Sequence, residues 1–369
     1  MSSFSTTANA RLADDGDPLG RAEELVEAGR AAEAVVLLDS LHETGRGGLL
    51  LQNARVAALI AAGDTERALG VARDAMALYP QIAAAAVSLG RALLAAGHLA
   101  TAIGEFQRAL RTDPEFIEAR YLLGCAWLEA GEAEKAAEAF DIIPSDRAPP
   151  TLAAKLAEIE AMRARPRSDA RYVRHLFDQF SSDYDARMIG QLGYGAPQIL
   201  RNLADLIGLL YRDPLMILDL GCGTGLSGAA FFDLASRLDG IDLSPAMVEK
   251  AKARGIYNDL RVGDIETAAG ERLYDLVLAA DTLVYLGDLG PVFDAAARAL
   301  APGGTFLFTV ERKDGDGYEL GPKRRWRHSE DYLRRLAAEA GFDVAGFLEC
   351  SPRSEAGVPV EGYAVALRR

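Results

Sequence analysis

Three carboxylates and three glycines carry most of the chemistry that can be read from this chain. Asp219 ends an apolar run, Ile217-Leu218-Asp219-Leu220, and Gly221, Gly223 and Gly225 follow at spacing two, separated by Cys222 and Thr224. Glycine enters left-handed backbone without strain and lets a ligand approach bare main chain, so the stretch reads as a strand that turns sharply beneath a small molecule. Acids recur behind later apolar runs, at Asp242 after Gly240-Ile241 and at Asp264 after Gly263. Carboxylates at such places accept hydrogen bonds from hydroxyl and amino groups. No His, Cys, Asp or Glu grouping has metal-ligand spacing, and no metal is expected.

Something must bring these residues to one edge. From residue 215 the pattern alternates, with strands at 215–220, 238–242, 259–262, 274–280 and 304–311 and helices at 225–236, 245–253 and 290–300. That order implies a doubly wound, mostly parallel α/β sheet of Rossmann-like type. Ligands of such sheets bind beyond the carboxyl ends of the strands, and the three acids all fall there. A helix over 329–341 and strands at 343–350 and 359–367 follow.

The glycine loop alone leaves the ligand open. Gly223-Thr224-Gly225-Leu226-Ser227-Gly228 satisfies the dinucleotide fingerprint, and Asp242 lies about 20 residues on, as that fingerprint expects. An NAD(P)-dependent oxidoreductase is therefore one alternative. Against it, Asp219 sits inside the strand end, the turn begins at Gly221, and acids recur at later strand ends.

Those features, taken in order, resemble the class I S-adenosylmethionine-dependent methyltransferases over about residues 170–369. Leu218-Asp219-Leu220-Gly221-Cys222-Gly223-Thr224-Gly225 looks like their first motif, and Gly240-Ile241-Asp242-Leu243-Ser244-Pro245-Ala246-Met247 like the second-strand motif. Gly263-Asp264-Ile265-Glu266 looks like the adenine motif, Tyr274 to Asp281 like the fourth strand, and Leu300-Ala301-Pro302-Gly303-Gly304-Thr305 like the turn into the fifth. The resemblance implies S-adenosyl-L-methionine as cofactor. Amides around Gly221, Cys222, Gly223 and Gly225 would meet its carboxylate and Asp219 its ammonium. Asp242 would accept the ribose hydroxyls, Asp264 and the Ile265 amide would read the adenine, Leu243 and Met247 would sandwich it, and Ala280 would lie at the end of the fourth strand. The last two strands look like the reversed pair that closes this family's sheet.

Methyl transfer from a sulfonium needs alignment and, for a protonated nucleophile, a base. Asp281, Tyr285, Glu311, Tyr318 and His328 are candidates near the mouth. His328 is either a base or a hinge histidine ahead of the helix cap Ser329, and Tyr285 either orients the acceptor or packs. The basic run Lys323-Arg324-Arg325-Trp326-Arg327 either faces an anionic group or lies in a solvated loop.

Upstream, an amphipathic helix carries Tyr172, Val173, Leu176, Phe177, Phe180 and Tyr184 near helical spacing. Residues 177–185 resemble the opening segment of one group of small methyltransferases, with Phe180 where a tyrosine is more usual. Tyr184 is then the residue expected over the cofactor. The arginine-rich stretch 163–174, with Pro166, marks a domain boundary.

Farther upstream the chain repeats. Gly29, Gly63, Gly97 and Gly131 stand 34 residues apart, as do Ala34, Ala68, Ala102 and Ala136. Pro80 recurs as Pro114, Leu89-Gly90 as Leu123-Gly124, and Phe106 as Phe140. This period and these residues look like the tetratricopeptide repeat, a helix–turn–helix unit, so an all-α solenoid is expected over 19–165, with a cap helix at 151–164. A leader at 1–18 and a methyltransferase domain over 166–369 complete the expected division.

Composition bounds the rest. The 54 acidic and 40 basic residues leave a net charge of −14, which disfavours nucleic acid and anionic membrane as partners. Cys125, Cys222 and Cys350 form no CxxC pair, and no signal peptide or membrane span is read, so a cytoplasmic enzyme is expected. Its acceptor is a small molecule or a protein, and the repeats serve as scaffold, partner surface or self-association surface. A non-catalytic repeat adaptor with a methyltransferase-like half is the other alternative.

Overall fold

The computed structural model describes residues 17–45, 47–180, 184–190, 192–211, 214–267, 272–321, 324–355 and 357–369. The expected leader therefore lies, through residue 16, outside the described residues, as do residues 181–183, the Phe180 side chain and Lys323. The chain forms two compact units that divide between Ala161 and Met162.

The first unit is a stack of helix pairs: α1 (Pro18–Glu27) with α2 (Ala31–Glu43), α3 (Leu49–Ala61) with α4 (Thr65–Leu78), α5 (Ala83–Ala95) with α6 (Leu99–Thr112), and α7 (Ile117–Glu129) with α8 (Ala133–Asp141). Helix α9 (Leu152–Arg163) takes the place of the expected cap. Each of the four repeated glycines has φ between +73° and +80°. Around Gly97 the turn is closed by Gly97 N to Leu94 O (2.9 Å) and His98 N to Leu93 O (2.8 Å), the paired bonds of a Schellman stop. The same pair recurs at Gly29, Gly63 and Gly131. The alanines in phase with them are fully buried, so helix faces meet there without a gap.

The Leu-Gly…Phe recurrence has a steric cause. A Cβ on Gly90 would stand 2.4 Å from Phe106 Cε1, and one on Gly124 would stand 2.2 Å from Phe140 Cε1. Each buried ring occupies the space a side chain would need.

The second unit opens with α10 (Ala170–Phe180), α11 (Tyr184–Gly190) and α12 (Ala196–Leu206), the last carrying Pro197 in its first turn. A sheet follows, interleaved with helices: β1 (Leu215–Leu220), α13 (Leu226–Phe231), β2 (Ala235–Asp242), α14 (Pro245–Ala253), β3 (Asp259–Val262), β4 (Tyr274–Ala279), α15 (Gly290–Ala299) and β5 (Leu300–Arg312). Beyond them lie β6 (Tyr318–Leu320), β7 (Trp326–His328), α16 (Glu330–Glu339), β8 (Asp343–Cys350), β9 (Ser354–Glu355), β10 (Val358–Pro359) and β11 (Gly362–Arg368). The order is β3-β2-β1-β4-β5-β11-β8, parallel through β5 and antiparallel at β11 and β8. The chain reverses direction of winding between β1 and β4, and that switch point opens a crevice at their carboxyl ends.

Three expectations shift. The helix expected over 225–236 ends at Phe231, passes through one 3-10 turn and gives way to β2 at Ala235. The basic run is not a free loop, because β7 pairs parallel with β5 (Glu311 opposite Arg327) and antiparallel with β6. The last strand begins at Gly362, since Val358–Pro359 pair with Ser354–Glu355 instead. Among the described residues no helix is long and apolar enough to cross a membrane.

Gly90→Ala is expected to lower unfolding free energy by about 1–3 kcal/mol, the usual cost of overpacking a closed core. A thermal melt of the full chain by circular dichroism reads this as a lower repeat transition; an unchanged melt would mean Phe106 has room to give.

Candidate active site

The loop after β1 is built by backbone strain that only glycine tolerates. Gly221, Gly223 and Gly225 have φ of +67°, +53° and +91°. A Cβ on Gly221 would collide with Thr282 at 2.3 Å, so the turn also lets the segment after β4 pack close. The amides of Gly221 and Cys222 donate to Ile241 O at 2.8 and 3.0 Å, and that of Gly225 to Cys222 O at 2.8 Å. Gly223 N donates to Asp242 Oδ2 at 2.9 Å. These four amides are thus engaged within the protein, and a ligand carboxylate meets a loop already closed on itself.

Asp242 ends β2 with its other oxygen, Oδ1, accepting from Ser244 N at 2.8 Å. Ser244 in turn caps α14 by accepting from Met247 N. Burial raises the Asp242 pKa and the two amide bonds oppose it. Each oxygen keeps a second lone pair for a ligand hydroxyl.

A pocket of about 770 Å³, its open mouth included, lies over this loop. Gly221, Cys222, Gly223, Asp242, Leu243, Asp264, Ile265, Ala280, Tyr184 and Tyr285 line it, together with Asp281. Eleven of the residues expected at the site or its mouth therefore share one cavity wall. Burial keeps the Cys222 thiol protonated, which fits a space-saving role rather than a nucleophile.

Six expected residues are not on that wall. Asp219 is fully buried and accepts from Tyr257 OH at 2.7 Å, beneath the loop. Burial pushes its pKa up to about 7, the Tyr257 bond opposes that, and the nearby Asp242 adds to it. The side chain lies beneath the loop and is not among the residues that line the pocket. Met247 is fully buried on the inner face of α14 and does not line the pocket, whereas Leu243 does. Gly225 serves as the left-handed N-cap of α13. His328 is fully buried on β7, its Nε2 donating to Gly287 O at 3.0 Å. It does not line the pocket. Its ring stacks on Tyr332, and Glu311 and Tyr318 likewise lie off the pocket wall.

Several residues were not anticipated. Arg167 lines the pocket and bonds Asp264 (2.9 Å) and Glu266. It is set there by Pro166 O, which accepts from Gly287 and Asp288 amides, and by Ser168 N, which donates to Tyr285 O. Asp178 and Asp185 belong to the aromatic opening segment at 177–185. Asp178 Oδ1 accepts from Ser244 Oγ at 2.5 Å, while Asp185 accepts from Thr224 Oγ1 at 2.5 Å and from Arg254. The aromatics beside them, Phe177 and Tyr184, sit with Tyr285 over the cavity, Phe177 edge-on to both rings at 6.0 and 5.6 Å. The Phe-Asp and Tyr-Asp pairs at 177–178 and 184–185 were the available signal.

The chemistry of this lining is one-sided. Asp242, Asp264 and Asp281 face the cavity with aromatic rings, and among the described lining residues Arg167 is the lone cation, paired to two acids. Such a pocket suits a ligand with hydroxyls, an amine and positive charge, and it offers a pyrophosphate little.

Comparison with known proteins agrees with this picture. Residues 218–308 match the methyltransferase-domain family, and residues 53–115 and 87–151 match the tetratricopeptide-repeat family. The chain is 30% identical over 148 residues to a malonyl-(acyl-carrier protein) O-methyltransferase of Acetivibrio thermocellus, covering 38% of this chain and 50% of the relative. It is 35% identical over 103 residues to a ubiquinone biosynthesis O-methyltransferase of Xanthomonas oryzae pv. oryzae, covering 26% and 43%. The chain thus spans about half the length of the relatives it matches. Among solved structures, magnesium protoporphyrin IX methyltransferase from Synechocystis PCC 6803 with bound SAH aligns with a TM-score of 0.44 at 19% identity, over 55% of this chain and 99% of that one.

His328 gives a pH test of its burial. Its pKa falls from 6.5 to about 4 because burial disfavours the charged ring. The unfolded chain therefore binds a proton that the folded chain refuses. Stability is whole above pH 6.5 and is lost as pH falls toward 4, by up to about 1.4 kcal/mol per pH unit. His328→Gln keeps a donor for Gly287 O and is expected to flatten that slope, as urea titrations across the window will read.

Proposed function

We propose that this chain, which joins tetratricopeptide repeats to a methyltransferase domain, transfers the methyl group of S-adenosylmethionine to an acceptor bound at the mouth of the pocket. The observation that carries this reading is the lining itself: three carboxylates and an aromatic cover, with Arg167, the one cation among the described lining residues, already paired. An NAD(P) reading asks the same loop to hold a pyrophosphate, and the acids beside it disfavour that.

When bound, the cofactor supplies a methyl group on a positively charged sulfur, ready for in-line displacement. The protein's part is then placement. Asp242 takes the ribose hydroxyls with the lone pairs left by Gly223 and Ser244. Asp264, aligned by Arg167, takes the adenine amino group, and Leu243 and Ile265 flank the ring. Tyr184, Phe177 and Tyr285 cover the charged end, where ring faces stabilise a cation and exclude water. Tyr285, at the mouth, orients the acceptor. We place the repeat domain over 19–165 and the transferase domain over 166–369. The repeats serve as scaffold or as the surface that brings a protein partner, a protein acceptor or a second copy.

Incubating the full chain with methyl-labelled S-adenosylmethionine and bacterial extract tests transfer; the reading expects label in a discrete acceptor and fails if none is labelled while the protein remains folded. Asp242→Ala is expected to weaken S-adenosylhomocysteine by about 1.5–3 kcal/mol, the cost of a charge-assisted hydrogen bond, or roughly 10- to 150-fold. Calorimetry measures this, and unchanged affinity would remove Asp242 from the site.

A further inference from the structure

Behind the pocket wall lies a charged side chain that none of the roles above uses. Arg353 is the bulkiest fully buried side chain among the described residues. Its guanidinium donates from Nη1 to Asp281 Oδ1 and from Nη2 to Glu311 Oε1, with Glu355 Oε1 3.4 Å from Nε. Arg325 bonds Glu355 and stands 3.8 Å from Glu311, while Arg327 stands 3.7 Å from the other Glu311 oxygen. Three guanidiniums thus face three carboxylates. A buried ion is strongly penalised unless paired and hydrogen-bonded, so this set stands or falls together.

Asp281 differs from its two acidic companions because it lines the pocket. It follows β4 with φ of +55°, a conformation that costs a non-glycine residue roughly 1–2 kcal/mol. Its amide donates to the buried Thr309 Oγ1 at 2.8 Å. Backbone strain fixed from β5 on one side and from the C-terminal loop on the other is how a fold pins a side chain in place. Arg353 takes Oδ1, and among the described residues Oδ2 accepts no hydrogen bond. Ala280, Thr282 and Tyr285 flank Asp281 on the wall, at the same carboxyl edge of the sheet as Asp264 but beyond β4 rather than β3, with β1 and β2 between them.

We infer that Asp281 holds the acceptor's nucleophile, that this nucleophile is an N–H or O–H group rather than a carboxylate, and that Arg353 is the positioning residue that fixes the Asp281 carboxylate against the pocket. The inference rests on the methyl-transfer reading and deepens it. An ionised acceptor carboxylate at this place would face Asp281 at short range, a like-charge contact in a poorly solvated site. An X–H nucleophile instead donates to Oδ2 and is turned toward the methyl end. In the step, the X–C bond forms as the S–C bond breaks and its electron pair stays on sulfur. The proton of X–H passes to the Asp281 carboxylate and leaves by the mouth.

The test uses the full chain, saturated with S-adenosylhomocysteine, and three matched probes: benzylamine, benzyl alcohol and benzoate, titrated by saturation-transfer NMR. The expectation is that benzylamine and benzyl alcohol bind at least about tenfold tighter than benzoate. Asp281→Asn, which tolerates left-handed backbone, should bring benzylamine and benzoate to within about threefold of each other with S-adenosylhomocysteine affinity held within about threefold. Arg353→Lys, which keeps the charge without the fork, should shrink the same preference while the cofactor product still binds. Should Arg353→Lys fail to fold, Asp281→Asn alone decides. Benzoate binding as tightly as the other two, or no probe binding to the product-saturated protein, overturns the inference. An Asp281→Asn loss confined to S-adenosylhomocysteine affinity also overturns it, by moving Asp281 to the cofactor. Failure of S-adenosylhomocysteine itself to bind would strike the cofactor reading instead.

Discussion

One carboxylate ties together the two loops on which the pocket rests. Asp242 accepts from Gly223 on the loop after β1 and from Ser244 at the start of α14. The left-handed glycines, the cap on α14 and the Ser244 contact with Asp178 all depend on where that carboxylate sits. Taking an acid out of water would be costly, and the two amides offset that cost without supplying a counter-charge. A negative group in the crevice is thereby made structural before any ligand arrives, which explains how the same residue serves fold and site.

The second constraint is charge balance around the cavity. Arginines near the pocket are each bound to acids: Arg167 to Asp264 and Glu266, Arg254 to Asp185, Arg353 to Asp281 and Glu311. The pairs fix the wall in position while leaving carboxylate lone pairs toward the interior. Low solvation strengthens such pairing and would make a lone charge untenable. The aromatic cover then adds attraction for a cation without adding a formal charge.

Much of the frame was legible because local signals agreed with tertiary demands. Gly29, Gly63, Gly97 and Gly131 all close helices with positive φ, and Gly90 and Gly124 both make room for a phenylalanine. The β1, α14 and β3 bounds match their patterns residue for residue. What sequence could not tell was direction. Strand β1 and the second half of β2 are buried on both faces, so no alternation says that Asp219 turns to Tyr257 while Asp242 turns to the loop. The three-residue strands β6 and β7 are too short to show a period, which left His328 looking like a hinge when it is a core residue. Arg353 pairs across 72 residues with Asp281, a relation that no local pattern announces.

The lining of this crevice favours an adenosyl amino acid over a dinucleotide. Calorimetric titration of the full-length chain with S-adenosylhomocysteine and, separately, with NADH compares the two directly. Saturable one-to-one binding of S-adenosylhomocysteine with no detectable NADH binding is the predicted result; saturable NADH binding, with S-adenosylhomocysteine failing to bind, would contradict it.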